Sequence, residues 1–287
     1  MSEPTDSAAA ARLCEFTRYR TEDGVWLHAL VWEPQQGGDT AVILVPGFYG
    51  SFTGTHDYRP LAARLNANGQ AFMAINMRTA NDFTDPRLQD AILDVGAAVA
   101  EAKRRGFHRI VLLGTSLGGA RSCLYLTHTD EPAIRAYGLI AAIKSPYEAS
   151  THYMDADRLE RFDRTIACAV ALVEEGRPLE MVTYENIFNG RWVRMTARGF
   201  VNVFGSPDVT DISVLKHAHK VRVPTAVFHG MKDEVSLPPN AQAIHDALTN
   251  APSRELHWVE GATHYLEPGW IAEEYAMRIS LWAQTCL

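Results

Sequence analysis

Residues 109–119 read Arg109-Ile110-Val111-Leu112-Leu113-Gly114-Thr115-Ser116-Leu117-Gly118-Gly119. The apolar run 110–113 suits a strand covered on both faces, in the middle of a parallel sheet. Glycine stops it, and residues 116–127 read as a helix. A turn that joins strand to helix so abruptly brings chain segments into near contact, and glycine at 114 and 118 removes the β-carbons that would collide. In this strand–helix context the spacing Gly-x-Ser-x-Gly raises the Ser116 hydroxyl at the carboxyl end of the sheet. It also sets that hydroxyl at a helix N-terminus, which favours developing negative charge. A plain glycine-rich turn or a phosphate cradle is the bland alternative. No Gly-Lys-Ser and no G-x-G-x-x-G accompanies it in support.

Outward from this stretch, strands and helices alternate. Residues 40–45 form another apolar run, ended by Pro46-Gly47, and 71–77, 136–143, 225–229 and 255–259 read as further strands. Helices are expected over 58–68, from Asp85-Pro86 to Gly106, over 240–248 and over 270–282. Residues 14–20 and 25–32, joined by Thr21-Glu22-Asp23-Gly24, read as an edge hairpin. The pattern predicts an α/β fold: a mostly parallel sheet with helices on both faces. Residues 146–215 break the alternation with charged, aromatic, helix-like sequence. They read as an inserted helical cap, which leaves 1–145 and 216–287 as the core.

Bulk properties narrow the function. The chain has 287 residues, 47% hydrophobic and 21% charged, enough for a core without covalent staples. A net charge of −7 argues against nucleic acid and against anionic membrane surfaces. Cys14, Cys123, Cys168 and Cys286 are far apart and lack zinc spacing, so they read as reduced thiols and no metal is expected. The N-terminus lacks the basic and apolar regions of a secretory signal, and no run of about 18 apolar residues offers a membrane span. A cytoplasmic location is the default expectation, and a homodimer is compatible with the sequence.

A serine hydroxyl needs a base, and the base needs an acceptor that fixes its tautomer. Of 11 histidines, His264 lies in Gly261-Ala262-Thr263-His264, on the loop after the last strand, where it can reach the sheet's carboxyl edge. His257 sits inside a strand, His217 and His219 read as solvated, and His229 reads as packing at a strand end. Asp233 follows Gly230 on the loop after the penultimate strand, with Glu234 as its nearest rival. An oxyanion would need two backbone donors. Leu117 follows the serine, and Phe48 lies on the loop after strand 40–45, with Tyr49 as second choice because Pro46 has no N–H. The cap's Tyr147, Tyr153, Met154, Phe162, Tyr184, Phe188 and Trp192 suit an apolar or aromatic acyl substrate, although for each of them singly packing of the cap on the sheet is the stronger reading. Tyr49 and Tyr147 are the candidate substrate contacts.

Taken together, Ser116 in its glycine turn, Pro46-Gly47-Phe48, Gly230 to Asp233 and His264 resemble the α/β-hydrolase superfamily over residues 14 to the C-terminus. The resemblance implies an eight-stranded, mostly parallel sheet with the cap inserted after the sixth strand, and a serine hydrolase that cleaves a small-molecule carboxylic ester or thioester through an acyl-serine, without a cofactor. The same three residues would equally serve an acyltransferase, a lactonase or a carbon–carbon hydrolase, and a non-catalytic ligand-binding protein is the rival of a different class. The chain departs from commoner members in two places. Pro46-Gly47 stands where many carry His-Gly, and Asn76-Met77-Arg78-Thr79-Ala80-Asn81 stands where many carry Asp-x-Arg-Gly-x-Gly-x-Ser. Ser116 itself speaks against epoxide hydrolases and dehalogenases, which use aspartate as nucleophile.

Overall fold

The structure, a computed structural model, describes residues 14–34, 37–52, 58–186, 190–206, 210, 212–266 and 269–287, with side chains from residue 272 in the last stretch. The polar leader before residue 14 and Phe188 lie outside the described residues. Strands β1 (Glu15–Arg20) and β2 (Trp26–Trp32) form the expected antiparallel hairpin. Then follow β3 (Thr40–Val45), α1 (Arg59–Ala67), β4 (Ala71–Ile75), α2 (Ala91–Arg104), β5 (Arg109–Thr115), α3 (Leu117–His128) and β6 (Ile134–Ile140). The insertion comprises α4 (Pro146–Thr151), α5 (Ala156–Glu174), β7 (Met181–Glu185), β8 (Trp192–Thr196), α6 (Ala197–Phe204) and α7 (Val214–His217). The core resumes with β9 (Thr225–Gly230), α8 (Pro238–Ala247), β10 (Arg254–Val259) and α9 (Gly269–Cys286).

The eight core strands form one sheet in the order β1-β2-β4-β3-β5-β6-β9-β10. Only the pairs made by β2 are antiparallel; the other five are parallel. Side chains alternate across each strand, so an all-apolar run feeds two cores at once. Val42, Leu44, Val111 and Leu113 pack under α1 and α9 against Leu61, Leu65, Ile279 and Trp282. Their neighbours Ile43, Val45, Ile110 and Leu112 pack under α2 against Val95, Ala98 and Val99. Each such aliphatic side chain contributes about 1.5–3 kcal/mol when fully buried, which fixes the central strands and therefore the loops that leave their carboxyl ends.

Two elements differ from expectation. The helix anticipated from Asp85-Pro86 begins only at Ala91, after a 3-10 turn over Leu88–Asp90. Asp85 does not cap it; its carboxylate is held by Arg198 and Thr196 of the insertion. The insertion is also not purely helical, because β7 and β8 pair antiparallel, with Met181 opposite Thr196 and Glu185 opposite Trp192. Val182 and Tyr184 are buried while Met181 and Thr183 are exposed, the period of two that a half-covered hairpin needs. Among the described residues no helix is long and apolar enough to cross a membrane.

Candidate active site

Four loops at the carboxyl ends of β3, β5, β9 and β10 meet at one rim of the sheet. Ser116 occupies the turn between β5 and α3 with φ +53° and ψ −122°. This is a sparsely populated conformation for a residue with a side chain and costs of order 1–3 kcal/mol. The turn holds because Ser116 N–H donates to Ile140 O at 2.9 Å and because nothing larger than hydrogen fits at residue 118. A β-carbon on Gly118 would collide with the carbonyl oxygens of Val45 and Pro46. The β3 loop therefore lies directly against the Ser116 turn: a β-carbon on Gly47 would sit 3.2 Å from Ser116 Cβ and 3.7 Å from its Oγ.

The β9 and β10 loops are brought together in the same way. Gly230 lets the Ala262 carbonyl approach, since a β-carbon there would overlap it. Lys232 N–H donates to Ala262 O at 2.9 Å and Met231 N–H to Val259 O at 3.0 Å. Asp233 and His264 thus face each other across 31 residues of sequence. His264 Nδ1 lies 3.0 Å and 3.1 Å from the two Asp233 carboxylate oxygens, and its Nε2 lies 3.0 Å from Ser116 Oγ. A carboxylate only accepts, so Nδ1 carries the proton and Nε2 offers its lone pair to the serine hydroxyl. Asp233 and His264 are both nearly excluded from water, at 2% and 5% exposure.

Asp233 is itself held in place. Its Oδ1 accepts the N–H groups of Val235 at 2.9 Å and Ser236 at 2.7 Å, and Ser236 Oγ donates to Ala142 O at 2.7 Å. The rival Glu234 turns the other way. Its carboxylate accepts the backbone N–H of His264 at 3.3 Å, and its carbonyl is 2.7 Å from His152 Nε2 at the end of α4.

Leu117 opens α3, so its N–H has no intrahelical acceptor. Phe48 follows Gly47 on the β3 loop, its ring edge-on to Tyr49 and tilted against Phe83 and Phe204 at 5.0–5.8 Å. Tyr49 is half exposed, and its hydroxyl accepts from Asn186 Nδ2 at 2.8 Å. Tyr147 is placed differently. Its hydroxyl donates to Asp163 Oδ1 at 3.3 Å and its ring faces Phe162, contacts that lie within the insertion. Phe48, Ser150, Phe162, Tyr184 and Phe204, together with Glu185 and Asn186, close on a seam too narrow to admit a water molecule. Among the described residues no cluster of His, Cys, Asp or Glu could hold a metal ion.

Two residues gain parts that the sequence did not suggest. His229, read as packing, stands behind the acid: its Nε2 donates to Ser236 O at 2.7 Å and lies 3.6 Å from Asp233 Oδ2. Burial pushes its pKa below the usual imidazole value, against the attraction of Asp233. Arg121 is the second. It is 1% exposed, one turn into α3, and its guanidinium donates to the carbonyls of Pro46, Gly47 and Phe48 and to Thr79 Oγ1. A lone arginine in an otherwise small and apolar helix is the sequence signal that could have found it. His257 stacks on Phe228 at 4.8 Å, and His217, expected to be solvated, is buried with its ring 5.6 Å from that of His128.

Solved structures share this architecture. An esterase domain of a Rhodothermus marinus protein superposes with a TM-score of 0.66 at 15% identity, covering 95% of this chain and 98% of that one. A Pyrococcus furiosus esterase gives 0.63 at 19% identity, covering 96% and 91%. A soluble variant of monoglyceride lipase from Saccharomyces cerevisiae, in complex with a substrate analogue, gives 0.68 at 15% identity, covering 99% and 98%. At these identities the likeness is one of fold. No curated protein matches the sequence. Residues 42–274 match the alpha/beta hydrolase family, and on that match, together with the sheet order and the strand–turn–helix at Ser116, the chain belongs to this family.

Proposed function

We propose that the protein is a serine hydrolase that cleaves a carboxylic ester or thioester through an acyl-serine intermediate. The observation that carries this reading is the continuous relay from Ser116 Oγ to His264 Nε2 at 3.0 Å and from His264 Nδ1 to Asp233 at 3.0 Å. His264 takes the hydroxyl proton as Ser116 Oγ attacks the substrate carbonyl carbon, and Asp233 stabilises the imidazolium that results. The N–H groups of Leu117 and Phe48 receive the oxyanion. Collapse expels the alcohol or thiol, which takes the proton from His264. Water, deprotonated by the same imidazole, then releases the acid and restores the serine. The aromatic side chains of Phe48, Phe162, Tyr184 and Phe204 favour an apolar acyl group, which would have to part them to enter, with Tyr49 and Tyr147 as the proposed substrate contacts. Residues 146–215 act as the cap over this group.

The test is labelling with a fluorophosphonate together with turnover of p-nitrophenyl esters and acyl thioesters of increasing chain length. The wild type is expected to label and turn over, with Ser116→Ala losing both while keeping its circular-dichroism spectrum. Absence of labelling in the folded wild type would favour a ligand-binding protein.

A further inference from the structure

The β3 loop must offer an N–H to the oxyanion, yet such a loop is free to tilt by a fraction of an ångström, which is enough to spoil the donor. Arg121 removes that freedom. Its Nη1 donates to Pro46 O at 3.1 Å and to Gly47 O, and its Nη2 donates to Phe48 O at 3.1 Å and to Thr79 Oγ1 at 3.1 Å. Three consecutive carbonyls of the loop therefore face the same cation. In a planar trans peptide the C=O and N–H point in opposite directions. The Gly47 carbonyl turned inward to Arg121 thus turns the Phe48 N–H away from Arg121, and Gly47 itself lies against Ser116.

The charge acts as well as the shape. The guanidinium is buried, and no carboxylate of the described residues lies within ion-pairing distance of it. Asp94, the nearest acid to act on it, is already engaged by Arg78. Burial without a paired carboxylate pushes the Arg121 pKa down to about 10, still high enough to keep the side chain charged at neutral pH. Keeping an unpaired cation in a core is costly, so its retention calls for a use. A cation bonded to a carbonyl in a low-dielectric interior polarises that amide and strengthens its N–H as a donor.

We propose that Arg121 is a positioning residue for the oxyanion site, aiming and polarising the Gly47–Phe48 peptide so that Phe48 N–H is a strong, fixed donor. This rests on the serine-hydrolase reading above. One helix then sets the whole electrophilic side: α3 supplies Leu117 N–H directly and Phe48 N–H through Arg121.

The experiment compares wild type with Arg121→Lys and Arg121→Met. Each is checked for fluorophosphonate labelling and assayed for kcat and KM on a p-nitrophenyl ester. Each is also titrated with a trifluoromethyl ketone, whose serine adduct carries an oxyanion. Removing a whole oxyanion donor costs on the order of 10²–10³-fold in kcat, and weakening one should cost the Met variant about 10²-fold. KM should stay within threefold while ketone affinity falls in parallel with kcat. Lysine keeps the charge but cannot span three carbonyls, so its kcat should lie between. In protein labelled with ¹⁵N-phenylalanine, the Phe48 amide proton, assigned by its loss in Phe48→Leu, should move upfield in both variants. A folded Met variant with kcat within threefold of wild type overturns the proposal, as does a loss confined to KM. If the Met variant does not fold, the Lys variant and the amide shift carry the same decision. Should the wild type neither label nor turn over, the hydrolase reading fails by itself. The Phe48 amide, which needs no turnover, then still decides whether Arg121 polarises that peptide: an unmoved resonance overturns it.

Discussion

Asp233 accepts from two backbone N–H groups besides His264, so its carboxylate cannot rotate away when the imidazole changes state. Asp233→Asn is expected to leave the fold intact, because the amide oxygen can still accept from Val235 and Ser236, while kcat falls on the order of 10²–10⁴-fold. Kinetics with thermal melting checks both halves, and undiminished turnover would move the orienting role to another acid. His229 bears on stability instead. Its folded pKa is depressed by burial below the unfolded value of about 6.5, with Asp233, Ser236 and His264 facing it. The unfolded state therefore binds the proton more readily. This stability is fully present above pH 6.5 and is lost as pH falls from there towards the folded pKa. His229→Gln should show a smaller drop in Tm between pH 7.5 and pH 5.5 than the wild type. An equal drop would remove His229 from the account. The partners of His229 and Arg121 are brought close only by folding, so the sequence offers at most the lone arginine of α3 as a sign and nothing for His229. Ser116, Asp233 and His264 were legible because each follows a strand and a glycine-marked turn.

At the level of elements, legibility follows the strength of the local pattern. The central strands are legible because an uninterrupted apolar run bounded by glycine or proline has few other uses, and β1 and β2 because the turn Thr21-Glu22-Asp23-Gly24 joins them. The β7–β8 hairpin was missed because its strands are five residues each, carry charge, and follow the long helix α5. The alternation that defines them, Val182 and Tyr184 inward, becomes decisive only once Phe162, Phe200 and Phe204 are there to pack against. The late start of α2 has the same origin. Asp85-Pro86 is a sound helix-opening signal, but tertiary bonding from Arg198 and Thr196 outweighs a cap that is itself worth only about 1 kcal/mol.

Across the whole molecule, the insertion and the sheet share one apolar cluster. Leu117, Ala120 and Leu124 of α3 belong to the same contiguous core as Phe162, Phe200 and Phe204. Insertion and core are therefore expected to melt as one unit. Phe200, fully buried, should cost about 3–5 kcal/mol when replaced by alanine. Calorimetry of Phe200→Ala should show a single transition displaced to lower temperature, with calorimetric and van't Hoff enthalpies equal. A separate early step would mean that residues 146–215 unfold alone.

The backbone at residue 116 has a consequence for how this protein ages and evolves. Its φ of +53° is one that glycine adopts freely and that serine and alanine resist. An inactivating change to glycine should therefore relax the turn, and Ser116→Gly should melt above Ser116→Ala by on the order of 2 °C. A lineage released from selection for turnover would find greater robustness one mutation away, at the very atom it had been holding under tension.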